Sequence, residues 1–243
     1  MKTPLDGDNV RILAIIPARG GSKGIPHKNI AYLCGKQLIL YSIREAHAAR
    51  LIDATIVSTD DEEIARVARE CGADVPFLRP AHLAGDQSRD IDFLQHALDW
   101  VERERGWRPE VLMYLPPTTP SRTAQDIDQA LEVLLTTGAD SVRTMINPEH
   151  YNPFKMWVGS GDDGKVEALF PEGRQCKPRQ LFQQKWYMPV GAVYATKATC
   201  IKEGRVWGDD VRCIPFPAER FVDIDRPEDL VKAAKIMQDY RLV

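Results

Sequence analysis

The length of 243 residues suits one large α/β domain or one domain with a small appendage, and 44% hydrophobic and 28% charged residues are ordinary for a soluble globular protein. The 32 basic and 35 acidic residues give a net charge of −3, so we expect no general attraction to nucleic acid or to an anionic membrane. Residues 1–10 have the composition of a flexible polar tail rather than a signal peptide, and no apolar run approaches the roughly 20 residues of a membrane span. Five cysteines without a C-x-x-C pair indicate neither a zinc site nor a redox motif, and we expect reduced thiols in a cytoplasmic protein.

Predicted strands and helices alternate along the first 146 residues. Apolar runs predict strands at 11–16, 54–58, 75–78, 110–115 and 141–145, and helical periodicity predicts helices at 37–49, 62–71, 91–105 and 124–136. This alternation predicts an α/β fold in three layers, with a mostly parallel sheet and crossover helices on both of its faces. In such open sheets, ligands bind at the carboxyl ends of the strands.

The pattern changes after residue 146. Prolines and aromatic residues punctuate segment 147–187, where we predict strands and long loops. The sheet resumes with strands at 191–195 and 210–215, and a last helix is predicted at 227–240. An aromatic-rich insertion with little core of its own usually needs another surface to cover it.

The segment directly after the first predicted strand, residues 17–29, combines glycines with basic side chains. Glycine lets backbone N–H groups approach an anion closely, and Arg and Lys neutralise its charge, which suits a polyphosphate. The residues concerned are Gly20, Gly21, Gly24, Arg19, Lys23 and Lys28. A solvated basic loop is the alternative, but the position after the first strand of an α/β pattern favours phosphate binding. The spacing matches neither the P-loop nor the dinucleotide-binding pattern.

Two acidic residues, Asp223 and Asp225, precede the last predicted helix. Because residues two apart on a strand point to one face, both carboxylates can reach one Mg²⁺ ion. The alternative is that Asp225 opens a capping box for the helix together with Glu228. Both roles are compatible if Asp223 is the principal metal ligand.

Residues 17–29 resemble the signature of the CMP-sialic acid synthetases (acylneuraminate cytidylyltransferases). The resemblance continues in order over nearly the whole chain, at 57–61, 78–80, 83–86, 117–120, 191–194 and 223–225. Members of this family transfer CMP from CTP to a nine-carbon sugar acid and release pyrophosphate with the help of Mg²⁺. The resemblance implies a Rossmann-like nucleotidyltransferase domain over residues 11–243, and a homodimer in which insertion 147–187 mediates dimerisation and lends residues to the acceptor site.

The resemblance also implies roles for single residues. Arg19, Lys28 and Asp223 would be catalytic, and Asp223 and Asp225 would bind Mg²⁺. The implied nucleotide-binding residues are Ala18, Arg19, Gly20, Gly21, Ser22, Lys23, Lys28, Asn29, Arg79 and Ser88. A solvent-facing position for Lys23 stays open. Asp60 is either a further site residue or the cap of the following helix.

Departures from the family pattern fall on the acceptor side. Pro116 stands where the family has Gln, and Met188 and Val190 stand where it has Arg and Asn. Because a site built to hydrogen-bond a substrate loses affinity when one partner group is missing, we do not expect ordinary N-acetylneuraminic acid as the acceptor. The candidate acceptor-binding residues are Pro116, Thr118, Arg179, Met188 and Val190.

Three functional hypotheses follow. The first is an Mg²⁺-dependent cytidylyltransferase that transfers CMP from CTP to a sialic-acid-like (nonulosonic) or related acidic sugar. The second is a nucleotidyltransferase of the same fold with a different acceptor or nucleotide. The third is a catalytically silent nucleotide-binding module, and the presence of Arg19, Lys28, Asp223 and Asp225 argues against it.

Overall fold

A central six-stranded sheet organises the protein, whose computed structural model describes residues 11–148, 152–159, 164–175 and 185–243. In chain order the strands are β1 (Ile12–Pro17), β2 (Tyr32–Leu33), β3 (Lys36–Gln37), β4 (Ala54–Ser58), β5 (Val111–Tyr114), β6 (Ser141–Ile146), β7 (Trp157–Gly159), β8 (Val166–Ala168), β9 (Met188–Lys197) and β10 (Val211–Pro215). The order in the central sheet is β10-β6-β9-β5-β1-β4, and only β9 runs antiparallel to its neighbours. The predicted mostly parallel sheet is confirmed.

Helices cover both faces of this sheet. They are α1 (Leu38–Ala48), α2 (Glu62–Glu70), α3 (Asp90–Arg105), α4 (Ala124–Thr137), α5 (Ala198–Lys202) and α6 (Pro227–Asp239). Short 3-10 helices lie at Lys28–Ile30, Ala81–Leu83, Pro153–Lys155, Pro171–Gln175 and Ala218–Arg220. Side chains of α1, α2 and α4 pack in one hydrophobic cluster, whereas those of α3 and α5 pack in a second cluster. The predicted three-layer α/β fold is therefore confirmed.

Strand β1 is buried on both sides. Ile12, Ala14 and Ile16 belong to the first cluster and Leu13 and Ile15 to the second, because successive side chains of a strand point to opposite faces. All five are at most 2% exposed, which explains why the sequence reads as a continuous apolar run. Since β1 pairs with β4 on one side and β5 on the other, the loop that follows it emerges between the carboxyl ends of these two strands.

Helix α6 brings the two predicted metal ligands to the same edge of the sheet. It packs with Leu38 and Tyr41 of α1 in a third hydrophobic cluster, which also contains Ile224. The backbone N–H of Ile224 donates to the carbonyl of Thr118 at 2.9 Å. Segment 223–225 is thereby tied to the loop that follows β5.

Besides the short strands β2 and β3 and the 3-10 helices, which were not predicted, the main elements differ from the predicted ones at three positions. Residues 75–78, predicted to be a strand, contribute only one isolated bridge, between Leu78 and Thr59, and Asp74 just before them forms another with Ile56. Strand β9 begins at Met188, earlier than predicted. The five-residue helix α5 has no counterpart among the predicted elements.

The described part of the insertion forms the antiparallel hairpin β7–β8 and two 3-10 helices. Phe154, Phe170 and Trp186 pack against one another, with ring centroids 5.2 to 6.3 Å apart. Arg179, a predicted acceptor ligand, lies outside the described residues. Within the described ranges, all four cysteines are free, and no helix has both the length and the apolar character needed to cross a membrane.

Candidate active site

A cleft of about 640 Å³ opens at the carboxyl ends of β1 and β5. Ten of the sequence-predicted site residues line it: Arg19, Ser22, Lys23, Lys28, Asn29, Arg79, Ser88, Pro116, Thr118 and Asp225. The other described candidates do not contribute to its wall; these are Ala18, Gly20, Gly21, Met188, Val190 and Asp223. The fold therefore brings most of the predicted nucleotide-side residues into one cavity.

The loop after β1 is fixed by hydrogen bonds on both of its sides. The N–H of Ala18 donates to the carbonyl of Ser58 at 2.9 Å, which continues the pairing of β1 with β4. Asn29 is 5% exposed, and its Nδ2 donates to the carbonyl of Arg19 at 3.0 Å. Asn29 therefore shapes the loop from inside, which makes it a structural support as well as a lining residue.

Asp60 and Asp61 have separate tasks. Asp60 Oδ1 accepts from the N–H of Gly20 at 3.0 Å and so anchors the glycine turn. Asp61 is the N-cap of α2, since its carboxylate accepts from the N–H groups of Glu63 and Ile64. The capping alternative for Asp60 is thus wrong, and Asp60 contacts the loop instead.

The glycines of the loop allow two close approaches. A Cβ atom at Gly24 would lie 2.0 Å from the backbone oxygen of Asp225, and one at Gly20 would lie 2.7 Å from Oδ2 of Asp61. A Cβ atom at Gly21 would have no protein atom within 4 Å. Gly24 therefore lets the loop touch the segment that carries the aspartate pair.

Two basic side chains of the loop meet one carboxylate on the opposite wall. Arg19 Nη1 donates to the carbonyl of Gly85 at 3.0 Å and lies 3.3 Å from Asp86 Oδ1. Lys23 Nζ lies 2.5 Å from Asp86 Oδ2, and this hydrogen bond is the main cause of the lowered pKa of Asp86. Lys23 lines the cleft, and its side chain is 78% exposed to solvent. It therefore combines the two predicted positions, one in the nucleotide-binding loop and one facing the solvent. The contact with Asp86 is not foreseen by the sequence, although Asp86 lies in one of the motif segments.

The third basic side chain, Lys28, is more enclosed. Its Nζ donates to the carbonyl of Ile224 and to Asp225 Oδ1, both at 2.8 Å. The side chain of Lys28 is 13% exposed, whereas that of Asp225 is 70% exposed. Lys28 is therefore held in one position at the junction of the loop and the aspartate segment.

The N-terminus of α6 is capped by a different carboxylate from the one predicted. Asp229 Oδ2 accepts from the N–H groups of Asp225 and Arg226, at 3.0 and 2.8 Å. This leaves the carboxylate of Asp225 available to Lys28. Desolvation raises the pKa of the neighbouring Asp223; the hydroxyl of Thr118 opposes this shift and the negative charge of Asp225 adds to it.

Asp223 and Asp225 suit a metal ion that arrives with a nucleotide. In the described parts of the chain, no group of three or more His, Cys, Asp or Glu side chains forms a complete protein metal site. Mg²⁺ is usually bound by one or two carboxylates together with substrate phosphates and water. Two interacting carboxylates next to the basic loop fit that donor set, because oxygen ligands are what Mg²⁺ prefers.

Arg79 forms part of the wall opposite the loop. Its guanidinium lies over the ring of Phe93, 4.5 Å from the centroid, and its Nε and Nη2 donate to the side chain and carbonyl of Ser58, at 3.0 and 2.5 Å. Burial lowers the pKa of Arg79 to about 10. The side chain is thus rigid and keeps its positive charge at neutral pH.

Arg122 supports the wall on the predicted acceptor side. It is 2% exposed, and its Nη1 donates to the carbonyls of Pro116 and Ala192 at 3.1 and 2.6 Å. Its Nη2 donates to the hydroxyl of Ser42 at 2.5 Å, and burial lowers its pKa to about 10. Arg122 is a supporting residue that the sequence does not single out, although it lies two residues after the motif at 117–120.

The remaining acceptor candidates have different environments. Thr118 lines the cleft, and Pro116 lines it from a buried position. Met188 is 44% exposed on β9, while Val190 is 3% exposed and belongs to the first hydrophobic cluster. The roles of these residues towards an acceptor stay predictions.

Comparison with known proteins identifies the family. A family model described as cytidylyltransferase matches residues 13–156. CMP-N,N'-diacetyllegionaminic acid synthase of Legionella pneumophila is 33% identical over 94% of this chain and 97% of its own length. Pseudaminic acid cytidylyltransferase of Campylobacter jejuni is 31% identical over 93% of this chain and 95% of its own.

Among solved structures, CMP:2-keto-3-deoxy-manno-octonic acid synthetase complexed with CTP has the same fold, with a TM-score of 0.69, 16% identity and coverage of 95% of this chain and 99% of that one. The family match covers the loop after β1 and the first four strands of the central sheet in chain order, which are β1, β4, β5 and β6. The motif resemblance and both comparisons therefore agree: the chain belongs to the cytidylyltransferase family, in the group of CMP-sialic acid synthetases and their relatives.

Proposed function

We propose that the protein transfers CMP from CTP to an acidic sugar of the sialic-acid-like (nonulosonic) class and releases pyrophosphate. The observation that carries this proposal is the convergence of Arg19, Lys23 and Lys28 with Asp225 in one cleft at the carboxyl edge of the sheet. The names of the relatives refer to CMP-linked legionaminic acid and to pseudaminic acid, which supports an acidic sugar as the acceptor.

The chemistry is an in-line displacement at the α-phosphorus of CTP. The acceptor hydroxyl oxygen forms the new P–O bond and loses its proton, while the bond to the bridging oxygen breaks and pyrophosphate leaves with that electron pair. Negative charge on the phosphoryl oxygens and the leaving group needs fixed cations. Arg19 and Lys28 supply them, since both line the cleft and both are held by hydrogen bonds.

We propose Mg²⁺ as the cofactor, with Asp223 and Asp225 as its protein ligands. When bound, the ion neutralises charge on the phosphates. Lys28 is paired with Asp225 in the structure, so engagement of that carboxylate by a metal leaves Lys28 free to donate to triphosphate oxygens.

The acceptor is proposed to be a sialic-acid-like sugar other than N-acetylneuraminic acid. Pro116 lines the cleft but has no side-chain donor, and Met188 is an exposed apolar side chain on the neighbouring strand β9. Neither can supply the hydrogen bonds that Gln and Arg make available at these positions in the family.

A pyrophosphate-release assay with CTP and Mg²⁺ tests the proposal. The acceptors to compare are N-acetylneuraminic acid, diacetyllegionaminic acid, pseudaminic acid and 2-keto-3-deoxy-manno-octonic acid. We expect release with one of the nonulosonic acids and little with N-acetylneuraminic acid. CTP binding without release for any acidic sugar would favour the silent binding module instead.

We further propose a homodimer and a cytoplasmic location. Five large apolar side chains in and next to the insertion are 44 to 53% exposed, which supports an uncovered interaction surface: Trp157, Val166, Leu169, Tyr187 and Met188. The cytoplasmic location is supported by the proposed use of CTP, a nucleotide of the cell interior.

A further inference from the structure

An enclosed ion pair ties helix α4 to the stretch of chain just before the two proposed metal ligands. Arg220 ends the 3-10 helix Ala218–Arg220 and lies three residues before Asp223. Its Nη2 donates to both carboxylate oxygens of Asp126 in the first turn of α4, at 2.6 and 2.7 Å. Both side chains are 13% exposed, so solvent and salt screen this pair much less than the surface ion pairs of the protein.

Further contacts fix both members of this pair. The guanidinium of Arg220 lies over the ring of Phe216, 4.5 Å from the centroid, and Phe216 is 4% exposed in the first hydrophobic cluster. Asp126 Oδ2 also accepts from the N–H and the hydroxyl of Thr123, at 2.8 and 2.9 Å, which caps the start of α4. Neither side chain can therefore turn away without losing contacts of its own.

Two hydrogen bonds to backbone carbonyls join the same stretches of chain. The hydroxyl of Ser121, which is fully buried, donates to the carbonyl of Arg220 at 2.7 Å. The N–H of Ile224 donates to the carbonyl of Thr118 at 2.9 Å. The stretch from Arg220 to Ile224 is thus tied at both of its ends to the region between β5 and α4, and Asp223 lies between the two ties.

This arrangement determines where the carboxylate of Asp223 can lie. Asp225 is positioned by its own contacts, since its carboxylate pairs with Lys28 and its N–H donates to Asp229. The backbone of Asp223 is positioned by the ties on either side of it. Mg²⁺ demands near-ideal octahedral geometry, and groups that only orient the ligands of a metal ion contribute strongly to its affinity.

We propose that Arg220 and Asp126 form a positioning pair that places Asp223 for binding of the metal ion together with the nucleotide. Neither residue lines the cleft, so both act through the backbone between Arg220 and Ile224. This inference rests on the proposed function, with Asp223 and Asp225 as the metal ligands. It assigns a role in that site to two residues that are 94 positions apart in the sequence.

The test measures CTP binding to the full-length protein by calorimetry, once with Mg²⁺ and once with EDTA. We call the ratio of the two dissociation constants the Mg²⁺ advantage. It reports how well the carboxylates engage the ion, because without the ion they only repel the triphosphate. Arg220→Gln is the main variant. Arg212→Gln on β10 is the matched control, since Arg212 belongs to the exposed pair with Asp210 and does not line the cleft.

We expect Arg220→Gln to lower the Mg²⁺ advantage about tenfold and to leave CTP binding in EDTA little changed. Asp126→Asn should have a similar effect, because it removes the other half of the pair. Arg212→Gln should leave the Mg²⁺ advantage unchanged. Ser121→Ala removes one tie without leaving an unpaired charge, so it should lower the Mg²⁺ advantage by a smaller factor.

Three results would overturn the proposal. The first is an equal loss of CTP affinity with Mg²⁺ and with EDTA, which would make the pair a support of the fold alone. The second is an unchanged Mg²⁺ advantage in a folded Arg220→Gln protein. The third is a loss confined to only one of the variants Arg220→Gln and Asp126→Asn. If Arg220→Gln does not fold, an unchanged Mg²⁺ advantage in Ser121→Ala overturns the proposal in its place.

The binding measurement separates this inference from the proposed function. If the variants behave as expected but the wild-type protein releases no pyrophosphate with any acidic sugar, the acceptor assignment fails and the positioning pair stands. If the wild-type protein binds CTP equally well with Mg²⁺ and with EDTA, the metal assignment fails and this inference fails with it. If the wild-type protein releases pyrophosphate and every variant keeps the full Mg²⁺ advantage, this inference fails alone.

Discussion

The three basic side chains of the phosphate-type loop are not equivalent. Arg19 and Lys23 share Asp86, in contacts whose side chains are 37 to 78% exposed. Lys28 pairs with Asp225 and is only 13% exposed. Exposed ion pairs contribute roughly 0 to 1 kcal/mol to stability, and their side chains stay mobile. An enclosed cation, by contrast, is already oriented before a phosphate binds. Lys28 should therefore contribute most to the transition state.

Replacing Lys28 tests this ranking. We expect Lys28→Ala to lower kcat by about 100- to 1,000-fold, because a positioned cation at the transferring phosphoryl group is lost. Lys23→Ala should lower kcat by roughly tenfold or less, because the side chain of Lys23 is mostly solvated. Steady-state kinetics with CTP and an accepted sugar give both values.

Lys36→Ala on β3 is the control for the loss of a lysine, since Lys36 does not line the cleft. Near-normal turnover of Lys28→Ala in a folded protein would remove Lys28 from the catalytic mechanism.

Asp223 gives a prediction for pH. Its pKa is raised in the folded protein, first by desolvation and further by the charge of Asp225. A raised carboxyl pKa contributes stability that is fully present below the unfolded-state pKa and is lost as pH rises through the folded-state pKa. Asp225→Asn removes one negative charge, so it should lower the pKa of Asp223.

Carboxyl carbon NMR titration of the metal-free protein measures this shift directly. Asp239→Asn at the end of α6 is the control, because that carboxylate pairs with Lys235 and does not act on Asp223. An unchanged or higher pKa of Asp223 in the Asp225→Asn protein would contradict the proximity of the two carboxylates on which the metal proposal depends.

At the scale of elements, the loop after β1 depends on a backbone contact that only glycine allows. A Cβ at Gly24 would lie 2.0 Å from the backbone oxygen of Asp225, and a backbone atom cannot move aside as the end of a flexible side chain can. Gly24→Ala should therefore separate the loop from the aspartate segment and lower stability by about 1 to 3 kcal/mol. It should also weaken CTP binding.

Gly21→Ala is the matched variant, since its Cβ would meet no protein atom within 4 Å. Its effect on stability should stay within about 0.5 kcal/mol. Urea unfolding followed by circular dichroism measures the change in stability of both variants. Equal destabilisation by the two substitutions would show that glycine is needed for flexibility of the loop in general rather than for this contact.

The elements that can be predicted from the sequence are those whose residue pattern lies entirely within the element itself. The run from Ile12 to Ile16 predicts β1, and the loop after it then has to lie at the carboxyl edge of the sheet. The direction of β9 is not predictable in this way, because an apolar run is the same for a parallel and an antiparallel strand. Helix α5, with five residues, is too short to show helical periodicity.

The site residues that the sequence does not single out act across long separations. Arg122 contacts the carbonyl of Ala192, 70 residues away, and Arg19 contacts Asp86, 67 residues away. Such contacts depend on how distant loops meet at the sheet edge. The prediction of the residue that caps α6 is wrong for a local reason. Asp225 and Asp229 are both acidic residues near the start of the helix, and only the structure shows that Asp229 accepts the hydrogen bonds of the cap.

At the scale of the whole molecule, hairpin β7–β8 presents an apolar face with nothing described against it. Trp157 pairs with Ala168 and Gly159 pairs with Val166, so Trp157 and Val166 lie on one face of the hairpin. They are 49% and 53% exposed. Val158, paired with Glu167, lies on the other face.

If this face forms the proposed dimer interface, Trp157→Lys should raise the dimer dissociation constant at least about tenfold, because buried aromatic side chains dominate interface energies. Val158→Lys adds the same charge on the opposite face and should have little effect. Sedimentation equilibrium over a range of protein concentrations measures both constants. A monomeric wild-type protein would refute the dimer, and dissociation by Val158→Lys alone would move the interface to the other face of the hairpin. Because the insertion is expected to lend residues to the neighbouring acceptor site, Trp157→Lys should also raise KM for the sugar more than KM for CTP.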